Sequence, residues 1–228
     1  MRRLFSSTQS TEAESARNVW RRWLAVLGLS VTCFLVIACS VKAGGIIARI
    51  DQWEVWRSAS DTGLLTKVFR SVSWLHGTTG LATLSITLST WLFWRRKAKR
   101  EAASVLLAML GGGALNSALK AWIARPRPAG ADLLPNVHGH SFPSGHVMLA
   151  TILYGLALMH ASSSPGSAAF RPALALLAVA VVGVVATERV WSGAHHPSDT
   201  VAAVFAGISW LSAVAIAHRL AAPTQQRI

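Results

Sequence analysis

Apolar residues in this chain are concentrated in separate blocks, each about 20 residues long, the length at which an α-helix crosses the hydrocarbon core of a bilayer. Such blocks predict membrane-spanning helices. We place six of them, at about 23–41, 74–94, 102–122, 144–161, 172–188 and 198–217. The predicted fold is therefore all-α, an integral membrane bundle of six helices.

The overall composition agrees with a membrane protein. Hydrophobic residues make up 52% of the chain, the mean hydropathy is +0.43, and only 14% of residues are charged. A soluble domain carries about a quarter charged residues. The two cysteines, Cys33 and Cys39, lie inside the first block. We interpret them as buried thiols, and they predict neither a disulfide framework nor a metal site.

The net charge of +13 raises the question of nucleic-acid binding, but the positions of the charges argue against it. Positive residues lie next to the ends of the apolar blocks, where the positive-inside rule expects cytoplasmic anchors. We therefore predict that both termini and the connection 162–171 are cytoplasmic, and we expect no nucleic-acid partner. The anchors are Arg17, Arg21, Arg22, Arg95, Arg96, Lys97, Lys99, Arg100 and Arg219.

The domain organisation follows from these assignments. One membrane domain at 19–220 lies between two cytoplasmic tails, 1–18 and 221–228, and we expect disorder at 1–18 and after Pro223. Three connections, 42–73, 123–143 and 189–197, lie on the outer side. The first predicts an amphipathic helix on the membrane surface. Its apolar residues at helical spacing are Trp53, Trp56, Leu64, Leu65, Val68 and Phe69.

A first cluster of polar residues opens the second outer connection. Lys120 lies near the outer end of the third block, and Arg125 and Arg127 follow it. Pro126 and Pro128 stop the helix there. Snorkelling of cations at a helix end is one explanation. The positive-inside rule disfavours cations on the outer side, so an anionic ligand is the other explanation.

A second cluster, Ser141 to His146, precedes the fourth block. Pro143 suits the first helical position, so the next backbone N–H groups form an anion site at a helix N-terminus. Ser144 adds a hydroxyl donor, and Gly145 lets an oxyanion approach the backbone closely. His146 follows within the first turn, where it can donate a proton. An ordinary helix cap is the alternative interpretation.

A third cluster links the last two blocks. Arg189 ends the fifth block, His195 precedes the sixth, Pro197 begins that helix, and Asp199 lies in its first turn. Asp199 can hydrogen-bond one imidazole nitrogen of His195 and leave the other as a nucleophile. The alternative is a helix cap by Ser198 or Asp199 with an incidental histidine.

All three clusters fall on the same predicted side of the membrane. Together they supply cations, a helix-terminal anion site, a nucleophile with an orienting carboxylate, and a second histidine. These are the components of phosphoryl transfer through a covalent intermediate. The sequence has no carboxylate cluster for Mg²⁺ and no zinc-type spacing, so the predicted mechanism needs no metal and no cofactor.

The same residues closely resemble the type 2 phosphatidic acid phosphatase (PAP2) superfamily. Its pattern is Lys-x6-Arg-Pro, then Pro-Ser-Gly-His, then Ser-Arg-x5-His-x3-Asp. The resemblance covers blocks two to six through these motifs, and the first 50 residues only through topology. The matching residues are Lys120, Arg127, Pro128, Pro143, Ser144, Gly145, His146, Arg189, His195 and Asp199.

The resemblance implies a two-step hydrolysis of a lipid phosphate. His195 attacks phosphorus and becomes a phosphohistidine, Asp199 orients His195, and His146 protonates the leaving oxygen before it helps to activate water. The equatorial phosphate oxygens are then held by Lys120, Arg127, Arg189, Ser144 and Gly145.

The sequence departs from the family pattern at Glu188, where the pattern has serine. Glu188 either pairs with a pocket cation such as Arg189 or faces away. Arg125 and His196 lie near the motifs but outside them, and we interpret them as auxiliary. His138 and His140 lie in the same outer loop, where a solvated position is the simpler interpretation.

Several activities share these motifs. A lipid phosphatase could act on undecaprenyl diphosphate, which a bacterial source would favour, or on phosphatidylglycerol phosphate, phosphatidic acid or lipid A. The site would then face the periplasm from the bacterial inner membrane. An outer-leaflet phosphotransferase, a non-enzymatic lipid binder or flippase, and a vanadate-dependent haloperoxidase are the alternatives. Haloperoxidases of this pattern are soluble, so the apolar blocks count against that activity.

Overall fold

The computed structural model describes residues 2–51, 63–129, 131, 138–161 and 169–220, and the regular elements in these residues are all α-helices. The six predicted blocks correspond to α1, α4, α5, α6, α7 and α8, so the all-α prediction is confirmed. The helices are α1 Arg2–Lys42, α2 Ile46–Ile50, α3 Leu64–Leu75, α4 Thr78–Trp94, α5 Lys99–Ile123, α6 Gly145–Ala161, α7 Arg171–Trp191 and α8 Pro197–Leu220.

Helix length and hydropathy support membrane insertion. Among the described residues, four segments are long and apolar enough to cross a bilayer: Asn18–Lys42, α5, α7 and α8. Helices α4 and α6 have 17 residues each. At a rise of 1.5 Å per residue they are about 25 Å long, slightly less than the ~30 Å hydrocarbon core. The count of six spans therefore remains a prediction for these two helices.

The N-terminal segment differs from the prediction of a disordered tail. Helix α1 begins at Arg2 instead of near the start of the apolar block. The sequence 2–22 contains no glycine or proline, the two residues that most strongly disfavour a helix interior. The helix therefore continues back through the polar residues. The second predicted tail, 221–228, lies outside the described residues.

The connection between α1 and α4, which we predicted to lie on the outer side, contains two helices, α2 and α3. The predicted amphipathic segment is helical from Leu64 onward, as α3, whereas Trp53 and Trp56 lie outside the described residues. Gly77 serves as the N-cap of α4, so that helix begins at Thr78 and not at 74. His76 closes α3, with Nδ1 3.0 Å from the Val72 carbonyl oxygen.

Helices α6 and α8 form the centre of the bundle. Helix α8 packs against α1 and α6, α5 packs against α4 and α6, and α7 packs against α6 and α3. Of the three consecutive glycines in α5, Gly111, Gly112 and Gly113, the first two allow close helix packing. A methyl group on Gly111 would lie 2.5 Å from the Trp210 ring, and one on Gly112 would lie 2.6 Å from Ile152, but Gly113 has nothing within 4 Å.

The direction of the helices brings the three polar clusters to one end of the bundle. Helices α5 and α7 finish at this end, and α6 and α8 begin there. Lys42, the last residue of α1, donates a 3.0 Å hydrogen bond to the Trp122 carbonyl. At the opposite end, Arg100 donates to the His218 carbonyl. The cationic cluster at 95–100 is thus remote from the polar clusters.

Two glycine substitutions test this packing. We expect Gly207→Ala to destabilise the protein by about 1–3 kcal/mol, because overpacking a close helix contact forces backbone shifts. Its new Cβ would lie 2.8 Å from Thr151 Cβ and 3.0 Å from the Met148 carbonyl oxygen. Gly113→Ala is the matched control, and helix propensity predicts a gain of up to about 1 kcal/mol there. Thermal unfolding in detergent measures both, and equal shifts would contradict the packing.

Candidate active site

His195 lies in the short turn between α7 and α8, where it is buried. Its backbone N–H donates to the Arg189 carbonyl at 3.1 Å, which fixes the turn. Its Nδ1 lies 3.5 Å from Oδ2 of Asp199. Its Nε2 lies 3.5 Å from a guanidinium nitrogen of Arg127. One ring nitrogen therefore faces a carboxylate and the other faces a cation.

The surroundings of His195 keep its imidazole neutral at neutral pH. Burial lowers the pKa of His195 to about 4. The hydrogen-bonding and charge interactions with Asp199 oppose this change, while the charges of Lys120 and Arg127 add to it. A neutral imidazole has one nitrogen with a free lone pair, which a nucleophile requires. Below pH 4 the ring becomes protonated and loses that lone pair.

Arg127 ties the loop between α5 and α6 to the His195 turn. Its guanidinium donates to the carbonyls of Gly139 at 2.9 Å, His138 at 3.0 Å and Ala194 at 2.7 Å. Burial lowers the pKa of Arg127, and the charge of Asp199 opposes that effect. An arginine stays charged in proteins, so Arg127 supplies a fixed cation beside His195.

Lys120, near the end of α5, points toward the same region. Its Nζ donates to the His140 carbonyl at 2.6 Å and to the Ser141 carbonyl at 3.4 Å. Lys120 also interacts electrostatically with Arg127 and Asp199. The first and third clusters therefore meet.

The second cluster joins them through Ser144. Its backbone N–H donates to the Asp199 carbonyl at 3.1 Å, and its carbonyl accepts the first helical bond of α6, from Met148 N at 3.0 Å. The helix begins at Gly145, so the prediction that Pro143 occupies the first helical position was wrong. Ser144 caps the helix instead, because its N–H is held by Asp199 and its carbonyl starts the ladder.

The Ser144 hydroxyl is a ready donor. The side chain is fully buried, and its Oγ has no hydrogen-bond partner in the part of the chain that the structure describes. Buried hydroxyls normally have a partner, so this one suits an oxyanion. A methyl group on the adjacent Gly145 would lie 3.0 Å from Asn116 Oδ1, which explains the need for glycine there.

His146 occupies the first turn of α6 and is partly buried. It interacts electrostatically with Arg189, His195 and Lys120, which come from three other elements. The two motif histidines and the motif cations therefore surround one region.

Arg189 is paired with Glu188, the residue that departs from the family pattern. Both carboxylate oxygens of Glu188 accept hydrogen bonds from Arg189, and the Arg189 guanidinium also donates to Ser73 Oγ in α3. Both side chains of this pair are buried. Glu188 therefore pairs with the cation Arg189 and does not face away from it. The contact with Ser73 had no signal in the sequence.

Arg125 has a larger part than the auxiliary one expected from the sequence. Its guanidinium donates to Asp199 Oδ1 at 2.6 Å and to Asp51 Oδ2 at 2.8 Å. His196 contributes its backbone N–H, which donates to Asp199 Oδ2 at 2.9 Å. The side chains of His138 and His140 are exposed, as expected. Asp51 was missed because it lies far along the chain from every motif.

Comparisons with known proteins identify the family and the fold of this chain. The chain is 29% identical over 178 residues to phosphatidylglycerophosphatase B of Bacillus subtilis strain 168, covering 77% of this chain and 86% of that protein. The crystal structure of a transmembrane PAP2-type phosphatidylglycerolphosphate phosphatase from Bacillus subtilis has the same fold, with a TM-score of 0.74 at 22% identity. That similarity covers 87% of this chain and 98% of the other.

A second solved structure is more distant. The crystal structure of LpxE from Aquifex aeolicus aligns with a TM-score of 0.51 at 24% identity, over 69% of this chain and 88% of the other. The family model of the PAP2 superfamily matches residues 101–221, which is more than half of the chain and includes all three motifs. The protein is therefore a member of the PAP2 superfamily, a membrane-embedded phosphoric monoester hydrolase.

Proposed function

We propose that this protein removes the terminal phosphate of a membrane glycerophospholipid, with phosphatidylglycerol phosphate as its first candidate substrate and His195 as its nucleophile. The observation that carries the proposal is the position of His195, whose two ring nitrogens face Asp199 and Arg127. The similarity to phosphatidylglycerophosphatase B supports the choice of headgroup. Undecaprenyl diphosphate is the second candidate, and lipid A the third because of the similarity to LpxE.

In the first step the Nε2 lone pair of His195 attacks phosphorus. A P–N bond forms as the bond from phosphorus to the lipid oxygen breaks, and His146 gives a proton to that oxygen. The imidazole gains positive charge, which Asp199 stabilises from the Nδ1 side. In the second step a water oxygen attacks phosphorus and His146 takes its proton. The P–N bond breaks, phosphate leaves, and His195 is neutral again.

The surrounding donors stabilise the charge on the transferred phosphoryl group. Lys120, Arg127 and Arg189 supply three cations, and the Ser144 hydroxyl supplies a neutral donor. Donors that are already in place act most strongly where water is excluded. We propose that these four residues and the Gly145 backbone bind the phosphoryl oxygens.

The site is proposed to face the non-cytoplasmic side. It lies at the bundle end opposite the cationic cluster at 95–100, which the positive-inside rule assigns to the cytoplasm. Both chain termini of the membrane domain then face the cytoplasm. A bacterial inner membrane with the site toward the periplasm fits this orientation.

Phosphate release tests the proposal. The purified protein in detergent with excess EDTA is given phosphatidylglycerol phosphate, phosphatidic acid, undecaprenyl diphosphate or lipid A. We expect release that EDTA does not reduce, fastest with phosphatidylglycerol phosphate. Preference for another lipid would change the substrate assignment. Release from none of them, together with phosphate transfer to an added lipid or sugar acceptor, would favour a phosphotransferase.

The Glu188–Arg189 pair gives a prediction about anion affinity. Glu188→Gln removes the negative charge that neutralises Arg189 while it keeps the side-chain volume. We expect inorganic phosphate to inhibit this variant about tenfold more tightly, which corresponds to about 1.4 kcal/mol. Glu101→Gln, at the opposite end of the bundle, is the matched control and leaves the inhibition constant unchanged. Weaker inhibition of Glu188→Gln would mean that Glu188 orients Arg189 for the anion.

A further inference from the structure

Asp199 is held from two sides. Its Oδ2 lies 3.5 Å from His195 Nδ1, and its Oδ1 accepts a 2.6 Å hydrogen bond from Arg125. The carboxylate is fully buried, and Arg125 is 9% exposed. The guanidinium therefore fixes the plane of the carboxylate and the oxygen that faces the nucleophile.

Arg125 is held in turn by Asp51, the residue that follows α2. Its second terminal nitrogen donates to Asp51 Oδ2 at 2.8 Å, and Asp51 Oδ1 accepts from the Ser198 backbone N–H at 3.1 Å. The Ser198 hydroxyl donates to Asp51 and accepts from Arg125 at 2.9 Å. Asp51 lies outside the region 101–221 that matches the family model. The residues around α2 are thus tied directly to the beginning of α8.

We propose that Arg125 and Asp51 are positioning residues for the nucleophile. Arg125 holds Asp199 through Oδ1 so that Oδ2 faces His195, and Asp51 neutralises Arg125. This inference rests on the proposed function, because it gives the two residues a task only if His195 is the nucleophile.

The charge arrangement explains why two residues are needed. A buried arginine beside Asp199 would by itself cancel the negative charge that stabilises the imidazole as it gains positive charge. A second carboxylate, Asp51, balances the arginine, so the three groups carry one net negative charge. Removing one member of a buried ion pair leaves an uncompensated charge, which is strongly unfavourable. The arrangement therefore gives both orientation and the correct net charge.

The groups that face His195 come from several elements, and each enters the pH dependence. Asp199 lies in the first turn of α8, Lys120 in the last turn of α5, Arg127 in the loop between α5 and α6, and His146 in the first turn of α6. Arg125 and Asp51 act on His195 only through Asp199. Substitutions at these two positions leave the four groups chemically unchanged, so changes in the pH profile can be assigned to the positioning pair.

Three variants separate geometry from charge. Arg125→Lys keeps the cation but cannot hold both carboxylates in one plane. Asp51→Asn keeps the shape but leaves Arg125 unbalanced. Arg125→Gln removes the cation. Phosphate release from phosphatidylglycerol phosphate, or from whichever lipid the wild type hydrolyses, gives kcat, KM and the pH profile. Arg70→Lys, at an exposed position on α3, is the matched control for the conservative exchange, and His195→Ala is the control for the chemistry.

We expect Arg125→Lys and Asp51→Asn to lower kcat on the order of 10- to 100-fold, and to change KM less than about threefold. Effects of this size on activity are typical when a residue that hydrogen-bonds to a directly acting residue is removed. In Arg125→Gln the acid limb of kcat/KM moves to higher pH, because Asp199 then favours the imidazolium more strongly. In Arg125→Lys that limb stays in place, since the charge is retained. Arg70→Lys behaves as the wild type.

Unchanged kcat in Arg125→Lys and Asp51→Asn, with His195→Ala inactive, would overturn the positioning role and leave the proposed function intact. If the acid limb of kcat/KM does not move in Arg125→Gln, the charge argument is overturned, and the proposed function again stays intact. If Arg125→Gln does not fold, the other two variants still decide through kcat. An active His195→Ala would instead overturn the proposed function itself.

Discussion

His195→Ala is expected to abolish lipid phosphate hydrolysis while the protein still folds. Loss of a covalent nucleophile costs at least about 1,000-fold in turnover, because the remaining groups can only bind and polarise the phosphate. His195 makes a backbone hydrogen bond to Arg189, which alanine retains. Thermal unfolding and gel filtration in detergent check the fold, and phosphate release checks the activity.

His218→Ala is the matched histidine control, because His218 lies in the last turn of α8, at the end of the bundle remote from His195. We expect its rate to stay within about twofold of the wild type, the usual size of a change remote from the reacting groups. Near-normal release by His195→Ala would show that His195 is not the nucleophile, and that either another residue or water attacks phosphorus.

His146→Ala is expected to have the second largest effect, and its size should depend on the leaving group. General acid–base catalysis contributes about 10²- to 10⁴-fold, so turnover of the lipid substrate should fall by that factor. An aryl phosphate has a leaving oxygen that needs little protonation. Its first step should therefore be nearly normal in the variant, while the second step still lacks its base.

A nearly normal first step followed by a slow second step produces a burst of the first product. With para-nitrophenyl phosphate, His146→Ala should release nitrophenol quickly in an amount equal to the enzyme, and phosphate slowly afterwards. The wild type shows the two products together. Equal losses for lipid and aryl substrates, without a burst, would contradict the acid–base role of His146.

Much of the fold could be predicted because hydropathy and helix signals are local. Six apolar blocks gave the six long helices, and Pro197 correctly marked the beginning of α8. The start of α1 was wrong because a polar sequence without glycine or proline still forms a helix. The break between α3 and α4 was missed, although Gly77 before two threonines is a recognisable helix start.

The three motifs could be located because each is compact in sequence, and the structure brings Lys120, Arg127, Ser144 and His195 to one end of the bundle. The contacts that support these motifs could not be predicted from the sequence. Asp51 contacts Arg125 across 74 positions, and Ser73 contacts Arg189 across 116. A single sequence contains no local signal for such pairs. Arg125 itself was underestimated because it lies two positions before the motif arginine and has no place in the pattern.

The most direct test of the covalent mechanism is to trap the intermediate. Enzyme mixed with a ³²P-labelled lipid monoester, such as phosphatidylglycerol phosphate, is denatured in alkali within one turnover, and the label is mapped by proteolysis. We predict a label on His195 that survives alkali and is lost in acid, as expected for a phosphorus–nitrogen bond, and no label in His195→Ala. A fully active enzyme that never carries label, or label on a residue other than His195, would contradict the account.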